Sequence, residues 1–206
     1  MKSLLPPAIA SRVLSVIGLG TLASTGGLFA HPGHAHHPNS LIDGLIHPLT
    51  GLDHFVVMVA VGLWALQMGG AAVWVLPLAF VVFMMGGAGL GLAGVHLPMV
   101  EPMILASVLL CGVLLAMAYR PAVLVAAVLV GIMAVFHGAA HAFEMPFGSQ
   151  AGAYLLGFSL STFLLLGFGI LLGLGLVAAN ARQGFRWTGG AVALLGVGLF
   201  VTAAWT

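Results

Sequence analysis

Six apolar runs of about 20 residues, almost free of charge, decide what this chain can fold into. They cover residues 45–66, 72–93, 102–118, 122–141, 153–178 and 188–205. A helix of that length rises roughly 30 Å, which matches the hydrocarbon thickness of a bilayer. Only 4% of the residues are charged, against about 25% in soluble domains. Such a chain cannot cover its own surface in water. In lipid it can, provided that every backbone polar group is satisfied internally, by helices or by a closed barrel. A barrel would read as alternating segments of about ten residues, and these runs are longer and continuous. The expectation is an all-α polytopic membrane bundle, with six transmembrane helices after an N-terminal signal peptide.

Residues 1–30 carry the signal features: Lys2 and Arg12 at the start, an apolar stretch from Val13 to Leu22, and small residues up to Ala30. Residues 31–44 then form a polar, His-rich tail, and residues 45–206 form the membrane domain. The basic residues orient it. With the mature N-terminus outside, Arg120, Arg182 and Arg186 all fall in inner loops, and the outer segments hold no Lys or Arg. Small-xxx-small pairs, Gly87 with Gly91 and Gly169 with Gly173, read as close helix packing. Met58, Met84, Met85 and Met133 read as core. A net charge of +1 gives no sign of a nucleic-acid partner, and one cysteine, Cys111, allows neither an internal disulfide nor a CxxC metal site. The expected partners are the lipid bilayer and whatever the polar residues bind.

Those residues are few and grouped. The four acids are Asp43, Asp53, Glu101 and Glu144. An Asp inside a span costs about 2.5–3.5 kcal/mol on insertion scales, so such residues usually mark ion or substrate paths. In the first span His47 and His54 are seven apart and share a face if the helix is continuous, with Asp53 roughly 100° away. Pro48 suits a first turn. In the fourth, His137, His141 and Glu144 stack on one face, a ligand spacing on a helix. No Glu follows His137, so this is not the HExxH of a zinc protease. In the expected topology both clusters, Glu101 and His96 lie towards the outside. The tail adds His31, His34, His36 and His37, a composition that reads as metal capture.

Imidazole with carboxylate suits borderline divalent ions, Ni²⁺, Co²⁺ and Zn²⁺, with Cu²⁺ also open. Oxygen-only ions such as Mg²⁺ are disfavoured. The chain resembles the HupE/UreJ family of nickel permeases over essentially its whole length. His47-x5-Asp53-His54 matches the family's first-helix signature, and Phe136-His137-Gly138-Ala139-Ala140-His141-Ala142-Phe143-Glu144 matches its fourth-helix signature, with Ala142 where Gly is expected. The resemblance implies His47, Asp53, His54, Glu101, His137 and Glu144 as functional residues. The i, i+4 spacing adds His141. It also implies nickel as the transported ion, a bacterial inner membrane, and a hydrogenase or urease as recipient. No prosthetic group and no enzymatic activity are expected. Two other readings remain open. One is a metal sensor or accessory that binds without transport. The other is an intramembrane hydrolase using Ser159 in Gly157-Phe158-Ser159-Leu160-Ser161, which requires a histidine facing that serine.

Overall fold

The computed structural model describes residues 39–205. The expected signal peptide and the histidines His31, His34, His36 and His37 lie outside the described residues. Seven α-helices follow one another, and no strand occurs among the described residues: α1 (Ser40–Thr50), α2 (Leu52–Met68), α3 (Ala72–Leu92), α4 (Val100–Ala116), α5 (Val123–Phe143), α6 (Ala151–Ala178) and α7 (Gln183–Ala204). The protein is a multi-pass membrane protein. Four helices, α3, α5, α6 and α7, are long and apolar enough to cross a bilayer, and α1 with α2 makes a fifth if the bent pair is one span. The fourth apolar run becomes the 21-residue α5, which carries its last turn past His141 to Phe143.

The first span departs from expectation. It is not one helix: the chain breaks at Gly51 and the two halves meet at 80°. The helix also begins earlier, at Ser40, inside the segment assigned to the tail. Pro48 therefore sits near the end of α1, not in a first turn. A proline there removes the amide that would bond back to residue 44 and weakens the last turn. Gly51 follows with extended backbone. His47 and His54 thus lie on different helices and share no face, and Asp53 occupies the first turn of a new helix. The third apolar run gives α4, only 17 residues, or about 25 Å of rise.

Helices pack through reciprocal glycines. Between α3 and α5, a side chain at Gly87 would strike the backbone of Val135, and one at Gly138 would strike the backbone of Met84. The same exchange joins α2 to α6 (Gly62 against Leu166, Gly169 against Val59), α1 to α6 (Gly44 against Tyr154, Gly157 against Leu41), and α4 to α7 (Gly112 against Ala193, Gly189 against Ala116). Each interface removes a Cβ from both partners, which lets the backbones close up where lipid supplies no hydrophobic drive. Met58, Met84 and Met133 are core as expected, but Met85 is exposed on the outer surface of the bundle.

Polar side chains tie the end of α2 to the end of α4. Trp64 Nε1 donates to the Tyr119 carbonyl at 2.9 Å, and Gln67 Nε2 donates to the Leu115 carbonyl at 3.1 Å. The histidines lie at the opposite end of the bundle, at the first turn of α2 and the last turns of α1 and α5.

Candidate functional site

Two backbone features build the site. The break at Gly51 turns the end of α1 and the start of α2 towards one point, and α5 delivers a helical stripe to it. A cavity of about 200 Å³ opens there, lined by His47, Thr50, Gly51, Asp53, His54, Glu101, His141 and Glu144. Six of the seven candidate ligands therefore line one space. The seventh, His137, lies fully buried behind it, its ring centroid 4.9 Å from that of His54.

The outer layer is His47, His141 and Glu144, whose ligand atoms all lie within 4.8 Å of one another. His47 Nε2 donates to Glu144 Oε2 at 2.9 Å. His141 Nδ1 approaches the same oxygen to 3.3 Å, close enough for attraction but without hydrogen-bond geometry. Glu144 caps the end of α5, beyond the apolar span. His141 and then His47 hold its carboxyl well below the usual carboxylate range, against the opposing effect of partial burial. The carboxylate stays ionised, as a cation ligand must.

The inner layer is His54 and His137. His54 Nδ1 donates to Asp53 Oδ1 at 2.8 Å, and the same oxygen accepts the His54 backbone amide, also at 2.8 Å. His137 Nδ1 donates to the Met133 carbonyl at 2.9 Å. Carboxylate and carbonyl oxygens only accept, so Nδ1 carries a proton in both rings, and whenever such a ring is neutral its Nε2 carries the lone pair. Both Nε2 atoms are buried and have no protein partner, and His141 Nε2 is in the same position. A buried imidazole nitrogen without a partner is costly. Anchoring one ring nitrogen on an oxygen while the other stays free is the arrangement that metal-ligating histidines adopt.

The rings of His54 and His141 are 4.3 Å apart and those of His47 and His141 4.7 Å apart, centroid to centroid. Four imidazoles thus run in a chain from the exposed mouth into the core. Glu101, in the first turn of α4, stands exposed at that mouth. His96 is not in the cluster; it stacks on Phe143 at 5.0 Å. A Cβ at Gly51 would crowd the pair, 3.1 Å from His54 Nδ1 and 3.2 Å from Asp53 Oδ1.

Sequence reasoning missed Tyr154, Phe158 and Phe80. Tyr154 is fully buried with its ring 6.0 Å from His47, and its hydroxyl has no partner. Phe158 lies 3.9 Å from His141, and Phe80 lies 5.7 Å from His137. The one signal for Tyr154 was a phenol inside an apolar run. The phenylalanines had none. Ser159 turns its hydroxyl to the Met85 sulfur at 2.9 Å, so in this structure it is not joined to one of the clustered imidazoles.

The family described as HupE / UreJ protein matches residues 19–199. The chain is 45% identical over 175 residues to Protein HupE of Rhizobium leguminosarum bv. viciae, covering 82% of this chain and 90% of that protein. No solved structure matches it significantly.

Proposed function

The chain belongs to the HupE/UreJ family, and on that premise we propose that it is a permease for a divalent transition-metal ion. The ion we assign is Ni²⁺, carried inward across the bacterial inner membrane for a hydrogenase or urease in maturation. The observation that carries this reading is the pair of buried histidines, His54 and His137, each with Nδ1 anchored and Nε2 free. They lie directly behind a second group, His47, His141 and Glu144, already spaced for one ion.

In this reading the His-rich tail, His31 to His37, raises the local ion concentration. Glu101 and Glu144 take the hydrated ion at the mouth. His47 and His141 replace its water, and His54 and His137 receive it further in. Asp53 orients His54 and leaves a negative charge beside the ion. The short α4 is the sixth crossing. It falls roughly 5 Å short of the hydrocarbon core, a mismatch that local thinning of the bilayer absorbs. The mature N-terminus is periplasmic and the arginine loops are cytoplasmic. A membrane potential then drives a divalent ion inward by about 4.6 kcal/mol per 100 mV, twice the single-charge value.

One observation favours binding without transport. Beyond His137 the interior is filled by Met58, Phe80 and Trp64, all fully buried, so the inward route is closed in this conformation. Accumulation of ⁶³Ni²⁺ in cells decides the matter. Wild type should take up the ion, and Asp53→Ala with His54→Ala at matched membrane levels should not. Equal uptake by both would show that the cluster is structural. Binding of Ni²⁺ to purified protein with no cellular uptake would leave the accessory reading. Competition by Co²⁺, Cu²⁺ and Zn²⁺ in the same assay ranks the ions.

A further inference from the structure

At the end of the bundle remote from the histidines, a cavity of about 410 Å³ is lined by Arg120, Arg182 and Arg186 together with Gln67. These are all the Lys and Arg residues among the described ones, and no carboxylate lines the cavity. Asp53, Glu101 and Glu144 all line the cavity at the other end, so no acid of the site neutralises the arginines. Arg186 Nε is spent on the Ala116 carbonyl at 3.1 Å. That bond fixes the side chain, and a guanidinium has four further N–H donors.

A second hollow, of about 650 Å³, runs along the outer face of α6 and against the start of α3. Its lining is wholly apolar and includes Leu66, Trp74, Phe163, Gly167, Leu171 and Leu174. The two hollows are neighbours: Leu66 lines both, and Val177 of the basic cavity stands on α6 about one turn beyond Leu174 of the groove. From Leu174 to Phe163 the groove follows α6 for roughly 16 Å, inward from the arginine end. Cations at the interface and an apolar trough leading towards mid-membrane complement a molecule with an anionic head and a long hydrocarbon tail.

We propose that the arginine cavity and the α6 groove together form a binding site for one anionic phospholipid, its phosphate held by Arg182, Arg186 and Arg120 and one acyl chain laid in the groove past Gly167. The guanidinium fork suits phosphate oxygens. The groove distinguishes this site from one for free phosphate, which has no use for an apolar trough. It also distinguishes the site from the diffuse attraction of any cationic loop to an anionic leaflet. The site does not depend on which ion the histidines carry.

The test uses the full chain purified in detergent, with phosphatidylglycerol and phosphatidylcholine as probes. Lipid retained is counted by native mass spectrometry, and the melting temperature is followed as each lipid is added. Two variants separate head from tail. Arg182→Gln with Arg186→Gln removes charge. Gly167→Leu puts a side chain into the groove from a position where an added Cβ meets nothing within 4 Å. Wild type should retain one phosphatidylglycerol and be stabilised by it in preference to phosphatidylcholine. Each variant should lose at least about tenfold in affinity, equivalent to ~1.4 kcal/mol, while its affinity for Ni²⁺ is unchanged. Three results would overturn the proposal: phosphatidylglycerol retained by Gly167→Leu as by wild type, equal retention of the two lipids by wild type, or displacement of the lipid by excess inorganic phosphate.

Discussion

An imidazole is a useful ligand only when its two nitrogens have been told apart, and at His54 that distinction rests on Asp53. Asp53→Asn keeps an oxygen that can accept from Nδ1 but removes the charge behind it. The expected outcome is a loss of about 10–100-fold in Ni²⁺ affinity, measured by competition with a chromophoric chelator, with the melting temperature of the apo protein little changed. Glu144 gives a different signature. Its carboxyl titrates below its ordinary value of 4.5 because His141 and His47 stabilise the anion. A depressed carboxyl stabilises the fold above the unfolded pKa, and that contribution disappears as pH falls through the folded one. Glu144→Gln should therefore lower the apo melting temperature by a constant amount at neutral pH, and the gap should begin to close below about pH 4.5 and vanish only once pH has passed the lowered folded value. A gap that persists in acid would mean that Glu144 acts through packing. The stripe His137, His141, Glu144 was legible in the sequence because helical spacing survives into the structure. Tyr154 was not, since a single phenol has no second residue at a fixed spacing to announce it.

At the level of helices, hydropathy located α3 to α7 to within about five residues, because an apolar run can satisfy its backbone in lipid in only one common way. Hydropathy also hid the break at Gly51. Averaged over 20 residues, a bent pair and a straight span look the same, and the evidence of discontinuity is confined to Pro48 and Gly51. The consequence for the site was large. The expected partnership of His47 and His54 along one helix face is in fact a meeting across two helices. The glycine motifs were correctly read as packing, but their reciprocity could only come from the structure. It makes a sharp prediction. Gly87→Val should cost at least about 1–3 kcal/mol through overpacking against α5, whereas Gly86→Ala, facing open space, should leave stability within about 0.5 kcal/mol. Thermal unfolding in detergent checks both, and equal effects would refute the account of the α3–α5 interface.

Over the whole molecule, Asp53, Glu101 and Glu144 gather at one end and the described arginines at the other. On the orientation proposed from the basic loops, the arginine end faces the cytoplasm. Val95→Cys and Tyr119→Cys, both at exposed positions, test it with a membrane-impermeant maleimide, and the native Cys111 is buried and should not interfere. Val95→Cys should label in intact cells with a permeable outer membrane, and Tyr119→Cys only after lysis. The opposite pattern would invert the direction assigned to transport. The glycine interfaces also set a timetable. None of them joins neighbours in the chain: α3 waits for α5, α4 for α7, and α1 and α2 both wait for α6. About a hundred residues separate Gly62 from Gly169, so at roughly 5–20 residues per second the ribosome needs on the order of 5–20 s to supply the partner. Through that interval the first two helices stand in the membrane with their closest-fitting face unfilled and their histidines unassembled. The cluster's two N-terminal helices are seated only once α6 has been made, so a chain released before α6 lacks the framework that holds its histidines together.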